Sequence, residues 1–329
     1  MNSSNVIERP KSKAFEDILR FIAEHERFVI TSHARPDGDS IGSALALALG
    51  LEGLGKTVDV FGGDPIPRTF LALPAIDKIK VTDLVEGSYD GLLILECNDL
   101  KRPGLEGLDQ YFAMNIDHHL DTVPFGDLNW VDSSAAAVGE MIYQLLLALD
   151  APITLEAATN LYVAIFTDTG SFQYSNTSTR TFSIVADLVH LGVRPSDVAQ
   201  SIHMAHPPER IKLLGRLLNT LEIHSSGKIA SITLSHQMLE ETGAAPNDVE
   251  GMVNYPLSIS GVEMAAFFRQ DQGDSFRVSL RSKDRYDVSK VARLMGVGGH
   301  KNAAGLSVEG NREEAAGKVI GELEKLLDS

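Results

Sequence analysis

The chain has 329 residues, enough for two domains of ordinary size, each able to bury its own core. Hydrophobic residues make up 43% and charged residues 22%, an ordinary globular balance, and a single cysteine excludes an intramolecular disulfide and any Cys-rich zinc site. The net charge of −16 argues against a protein that tracks long nucleic acid, because phosphate neutralisation supplies most of that affinity. A short phosphorylated substrate held by metals and a few arginines stays compatible with it. No apolar run approaches the roughly 20 residues that cross a bilayer. The stretch Met1 to Pro10 is polar and lacks the apolar core of a signal peptide, so a cytoplasmic location is expected.

In chain order, Phe15 to His25 has helical spacing, with Phe15, Ile18, Leu19 and Ile22 on one face. Phe28-Val29-Ile30 reads as a buried strand. It runs into Ser32-His33-Ala34-Arg35-Pro36-Asp37-Gly38-Asp39-Ser40, after which Ser40 is expected to cap a helix over Ile41 to Leu51. Lys56 to Phe61, Gly91 to Leu95 and Tyr111 to Ile116 read as further strands, the last two stopping at Glu96-Cys97-Asn98-Asp99 and at Asp117-His118-His119. Helices follow over Ala135 to Leu149, Leu155 to Phe166 and Thr179 to Leu191, the second delivering Asp168. Strands alternating with helices predict an α/β fold, a parallel sheet with helices on both faces. Ser196 to Leu218 is helical but broken at Pro207-Pro208, which reads as a connector. The expected division is a domain over 1–195, a helical linker over 196–214 and a smaller α+β domain over 215–329. In that last part Lys228 to Leu234, Val262 to Gln270, Ser275 to Arg281 and Ala304 to Val308 read as strands. Val288 to Leu294 and Arg312 to Leu327 read as helices.

Asp37-Gly38-Asp39 taken alone is more simply a chain reversal and helix cap than a site. The balance shifts because Glu96, Asp117, His118 and His119 also lie at strand carboxyl ends, where an open parallel sheet binds ligands. With His33 and Asp168 they form a set of carboxylates and imidazoles suited to two divalent ions. Such a pair activates water and stabilises charge on phosphate oxygens, which is the chemistry of phosphoester hydrolysis.

The motifs S-H-x-x-P-D-G-D-S-I-G-S, the strand-end acid, D-H-H and T-D-T-G-x-F-x-Y-x-N-T resemble the DHH phosphoesterase superfamily. The later G-V-G-G-H-K-N-A-A-G is similar to the glycine-rich motif of the DHHA1 domain. Their order and spacing resemble the bacterial oligoribonuclease/pAp phosphatase branch over residues 15 to 325. The resemblance implies a Rossmann-like DHH domain and a DHHA1 domain with the cleft between them. It implies one metal on His33, Asp37 and Glu96, and another on Asp39, Glu96, His118 and Asp168. Asp117 would orient the site from behind the ligands, and His119 would face the scissile phosphate and assist the leaving group. Arg281, Gly298, Gly299 and His300 would contact the substrate's end. The ions implied are Mn²⁺ first, with Mg²⁺ or Co²⁺ as alternatives, and the substrates are very short RNA and adenosine 3′,5′-bisphosphate (pAp). A homodimer is expected on the resemblance alone.

Two residues depart from the family pattern: Glu96 stands where aspartate is usual, and Val297 where glycine is usual. Glu96 is preferred to Asp99 as the bridging acid because it directly follows the apolar strand. Without the family, Arg281 reads equally well as a solvated strand end. His25, His190, His203, His206, His224 and His236 read as structural or exposed, Cys97 as packing, and Thr179-Arg180 as the opening of a helix. Competing functions are a cyclic- or linear-dinucleotide phosphodiesterase, an inorganic pyrophosphatase, a RecJ-like exonuclease and a non-catalytic nucleotide sensor. A pyrophosphatase should lack the 298–300 motif, a RecJ-like exonuclease should be longer and more basic, and a sensor should have lost a ligand.

Overall fold

The computed structural model describes residues 9–119, 122–204, 206–271, 273–283, 285–297 and 299–328. The chain divides into two compact units, 1–205 and 206–329.

In the first unit, α1 (Lys13–Glu24) starts on Ser12, whose hydroxyl accepts the Phe15 amide, and buries the stripe Phe15, Ile18, Leu19 and Ile22. The strands are β1 (Arg27–Ser32), β2 (Thr57–Gly62), β3 (Ile79–Val81), β4 (Gly91–Leu95), β5 (Ala113–Asp117) and β6 (Leu128–Val131). All pair in parallel, in the order β3-β2-β1-β4-β5-β6. The chain reverses direction across the sheet between β1 and β4, which makes the carboxyl ends of those two strands the place where such a sheet binds ligands. Strands β3 and β6, which the sequence does not announce, are the short flanking strands. Their residues are largely exposed or half-buried, so they carry no apolar run.

The helices α2 (Gly38–Gly53), α3 (Val138–Ala148), α4 (Leu155–Asp168), α5 (Thr179–His190) and α6 (Pro195–His203) share one core with Phe28 and Ile30 of β1 and Leu93 and Leu95 of β4. The alternate strand residues Val29, Leu92, Ile94 and Ala113 face a smaller core with Val85, Cys97, Leu105 and Leu108. The α-helices therefore line one face of the sheet, not both. On the other face the β4–β5 connection contains Pro103 and the left-handed Gly104 and Gly107, and it forms only a short 3₁₀ turn at Leu108–Gln110. Helix α2 is buried nearly all round because α4 packs across it. A Cβ on Gly42 would lie 2.4 Å from the Asn160 carbonyl oxygen, and one on Gly38 would lie 2.4 Å from Thr167 Oγ1. That closeness sets the first turn of α2 against the last turn of α4, and so Asp37 and Asp39 near Asp168.

The second unit contains α7 (Pro208–Leu218), β7 (Glu222–His224), β8 (Ile229–Leu234), α8 (His236–Thr242), α9 (Asn254–Leu257), β9 (Met264–Gln270), β10 (Ser275–Ser282), α10 (Ser289–Leu294), β11 (Gly299–His300), β12 (Ala303–Glu309) and α11 (Arg312–Leu327). Its mixed sheet runs β11-β12-β10-β9-β8-β7, with β8 and β9 parallel and the other pairs antiparallel. Met264, Ala266 and Phe268 of β9 join the core under α10 and α11, while Ala265 and Phe267 join Leu213 and Leu217 of α7. This is the expected α+β arrangement. The stretch expected as a helical linker, 196–214, contains most of α6 and the start of α7: Val198 and Ile202 of α6 enter the core of the first unit and Leu213 of α7 that of the second. Among the described residues no helix is long and apolar enough to cross a membrane.

Candidate active site

The turn after β1 caps a helix and brings a carboxylate to a histidine. Asp37 Oδ1 accepts the Ser40 amide at 3.0 Å and Ser40 Oγ accepts the Asp37 amide at 2.9 Å, a reciprocal cap that starts α2 at Gly38. Asp37, not Ser40, is thus the cap, because its carboxylate reaches the amide three residues on. Its other oxygen, Oδ2, lies 3.6 Å from His33 Nε2. His33 Nδ1 donates to the Ala34 carbonyl at 2.9 Å, which fixes the tautomer and turns Nε2 toward the acids.

Glu96 ends β4 in a left-handed bend, φ +60°, with its amide donating to the Ile116 carbonyl at 3.0 Å. Its side chain is buried between two histidines: Oε2 is 3.5 Å from His33 Nε2 and Oε1 is 3.9 Å from His118 Nε2. Asp99 is exposed and its carboxylate caps the Lys101 amide, so it takes no part in the cluster.

Asp39 is 1% exposed and is held at the start of α3, where the Val138 and Gly139 amides donate to it at 2.6 and 2.9 Å. Ser43 Oγ adds a third bond at 2.8 Å. His118 Nδ1 donates to the Ala135 carbonyl at 3.1 Å, and its Nε2 lies 3.5 Å from Asp168 Oδ2. Asp117 stands behind His119 rather than His118: its Oδ1 accepts His119 Nδ1 at 2.6 Å and both following amides, while Thr122 Oγ1 donates to Oδ2.

Ligand atoms of His33, Asp37 and Glu96 all lie within 4.8 Å of one another, and so do those of Asp39, His118 and Asp168. Glu96, His118 and His119 form a third such group. Among the described residues the ion pairs of Asp37, Glu96 and Asp168 are all with histidine. Glu96 Oε2 is buried and accepts no hydrogen bond there. Burial pushes the Asp39 and Glu96 carboxyls up, Glu96 well above the carboxylate range with help from the charges of Asp37 and Asp39. Burial likewise raises Asp168 to about 7. Burial opposes charge on His33, but the Asp37 and Glu96 carboxylates outweigh it and raise the imidazole to about 11. His118, facing Asp168, Asp39 and Glu96, is raised against its burial to about 9. Asp117 is held below the usual range because His119 and Thr122 outweigh its burial. Crowded acids that hold protons for want of positive charge, with an acceptor that nothing donates to, fit divalent cations.

The sign of the pH dependence follows from these values. Asp168 keeps its proton in the folded chain up to about 7, well above its ordinary 3.8, so its contribution to stability is lost as pH rises through 7. The contribution of His118 is lost as pH rises from its ordinary 6.5 through about 9. Cations displace these protons and bind more tightly as pH rises. In chelator the melting temperature is expected to fall from about pH 6 to about pH 8.5, and the gain on adding Mn²⁺ to grow. A gain that is equal at both pH values would remove these side chains from the metal site.

In the second unit Arg281 lies near the end of β10, paired in register with Ala265 and Ala303, and its Nη1 donates to the Leu280 carbonyl at 2.9 Å. Gly299 and His300 form β11 against β12. Gly298 lies outside the described residues. Cys97 is buried with its thiol pushed well up by burial, which suits packing rather than attack.

Several supporting groups escape a reading of motifs: Thr122, the Ala135 carbonyl and the α3 amides, while Ser43 closes the first motif with no role there. Glu140, which is fully buried and bound to Arg180, escapes it as well. Its signal is that Glu140 carries the one charge in the mainly apolar stretch from Val138 to Leu147, and a buried charge must find a partner.

Residues 27–165 match the model of the DHH family, N-terminal domain, and residues 228–327 match the DHHA1 domain. The chain is 31% identical over 300 residues to the bifunctional oligoribonuclease and PAP phosphatase NrnA of Thermus thermophilus, covering 89% of each protein. It is 28% identical over 319 residues to the protein of the same name from Bacillus subtilis, covering 94% of this chain and 97% of the relative. Among solved structures, an exopolyphosphatase-related protein from Bacteroides fragilis matches with a TM-score of 0.86 at 26% identity, covering 98% of this chain and 97% of the other. A parallel sheet with acids and imidazoles at its reversal point thus belongs here to a phosphoesterase. The chain is a member of the DHH family, and its second unit carries the DHHA1 domain.

Proposed function

We propose that this protein hydrolyses short RNA oligonucleotides to 5′-mononucleotides and converts pAp to AMP with two divalent ions, Mn²⁺ first among them. The observation that carries the reading is the pair of ligand groups, His33/Asp37/Glu96 and Asp39/His118/Asp168, at the sheet's reversal point. The relatives' names supply the substrates. Glu96 lies within reach of both groups, 3.5 Å from His33 and 3.9 Å from His118, which suits it to bridge. Its extra methylene does not take it out of the cluster.

Bound there, the ions would generate the attacking hydroxide and neutralise the phosphate oxygens. The chain's own residues do the rest. Asp117 engages His119 Nδ1 at 2.6 Å, so a proton delivered to the leaving oxygen comes from Nε2. The Asp117 carboxylate steadies the imidazolium and fixes the ring's orientation. In the second unit Arg281 is proposed to grip a terminal phosphate, with Gly298, Gly299 and His300 as the other substrate contacts.

The test is hydrolysis by the purified protein with Mn²⁺ and with chelator. The substrates are a 5′-labelled RNA dinucleotide, pAp, cyclic di-AMP and a long single strand. Metal-dependent turnover of the dinucleotide and pAp, with the long strand spared, is the expected result. Preference for cyclic di-AMP would move the assignment to a cyclic-dinucleotide phosphodiesterase, and no turnover despite bound Mn²⁺ would make the protein a nucleotide sensor.

A further inference from the structure

Residues 132–140, a turn that runs into the start of α3, touch one ligand group and leave the other alone. The Ala135 carbonyl accepts His118 Nδ1 at 3.1 Å, and the Val138 and Gly139 amides hold Asp39. The Ala136 carbonyl accepts Asn176 Nδ2 at 3.1 Å, and the same nitrogen donates to the Asp168 carbonyl at 3.1 Å. Thus Asp39 and His118 touch this turn directly, and Asp168 is tied to it through one amide. Among the described residues no hydrogen bond joins the turn to His33, Asp37 or Glu96, which rest on the α2 cap, the Ala34 carbonyl and the end of β4.

The turn is pinned at both ends by one arginine. Arg180, in the first turn of α5, donates from Nε to Glu140 Oε2 at 2.8 Å and from Nη1 to Asp132 Oδ2 at 3.0 Å. Glu140 also accepts Thr181 Oγ1 at 2.5 Å and the Ala136 amide at 3.3 Å, so both its oxygens are engaged. Asp132 accepts the Ser134 amide and hydroxyl at 3.0 and 2.6 Å, folding the start of the turn onto itself. Arg180 is a planar fork with fixed donor directions, which a flexible ammonium does not reproduce.

We propose that the Glu140–Arg180–Asp132 bridge is a positioning device for one ion of the pair, the one on Asp39, His118 and Asp168. The two half-sites are supported separately, and the bridge sets the affinity of only one of them. The proposal rests on the two-ion reading above. Groups that orient a metal's ligands commonly govern its affinity by about 10–100-fold. A bridge that merely anchored α5 would govern melting instead.

The test is calorimetric titration of Mn²⁺ into the full chain, as the parent, as Arg180→Lys and as the charge-neutral double variant Glu140→Gln/Arg180→Gln. The double variant removes the fully buried Glu140 charge together with its partner and leaves only the partly exposed Asp132 carboxylate without its arginine, so it keeps the test open if the single variant folds poorly. Two ions in the parent and, in the variants, one dissociation constant weakened about 10–100-fold with the other within about twofold, is the expected result. Turnover should recover with excess Mn²⁺. A parent with two ions and variants that keep both affinities while melting lower would overturn the proposal alone. Equal weakening of both ions would also overturn it. A parent that takes up a single ion would overturn the two-ion reading and this proposal with it.

Discussion

Replacing His118 with alanine is expected to lower hydrolysis of pAp by about a thousandfold or more, since metal charge stabilisation is worth several kcal/mol and each 1.4 kcal/mol is about tenfold in rate. The loss should arise at the metal centre and not in the fold. The ring's Nδ1 donates to the Ala135 carbonyl, and its Nε2 is directed at Asp168 and Glu96. Asp39→Ala should be equally inactive but costlier to folding, because it strands the Val138 and Gly139 amides that the carboxylate now satisfies. Turnover, Mn²⁺ uptake and melting in chelator separate the two effects. Full activity of His118→Ala would remove the two-metal assignment.

The second large effect is expected at His119. His119→Gln should lower kcat on RNA by about 10²–10⁴-fold, the usual worth of a positioned acid, while Mn²⁺ affinity holds. The reason is the Asp117–His119 contact at 2.6 Å, which leaves Nε2 as the proton-bearing atom for the leaving oxygen. A nitrophenyl ester, whose leaving group needs no proton, should lose much less. Should Mn²⁺ affinity fall instead, His119 would be a ligand, as its grouping with Glu96 and His118 also allows.

The strands that build the site were legible because β1, β4 and β5 are apolar and buried, and each hands a polar group to the next turn. Glu96 could be chosen over Asp99 for the same reason: it is the first residue after a wholly buried strand. The helix expected over 135–149 starts three residues later, at Val138: Ala135, Ala136 and Ala137 favour helix, but His118 engages the Ala135 carbonyl, Asn176 the Ala136 carbonyl and Glu140 the Ala136 amide, and Ala137 is extended. Contacts across long separations left no periodic trace. Asp39 meets Val138 across 99 residues and Arg180 meets Glu140 across 40. The placing of the α-helices on one face was hidden as well, since an apolar parallel strand reads alike whether a helix or a loop covers it.

That uneven wrapping of the sheet gives the molecule a firm side and a soft side. Six helices, α1 to α6, share the larger core, whereas the smaller core around Val29, Leu92 and Ile94 is closed by turns and loop side chains. Backbone covered by fewer apolar contacts opens locally at lower free-energy cost than backbone locked in a large core. Asp39 and Asp168 ride on the firm side, built into helices, while Cys97 and Leu105, beyond Glu96, belong to the soft one. Local opening is thus expected to begin beneath the loop that follows β4, behind Glu96.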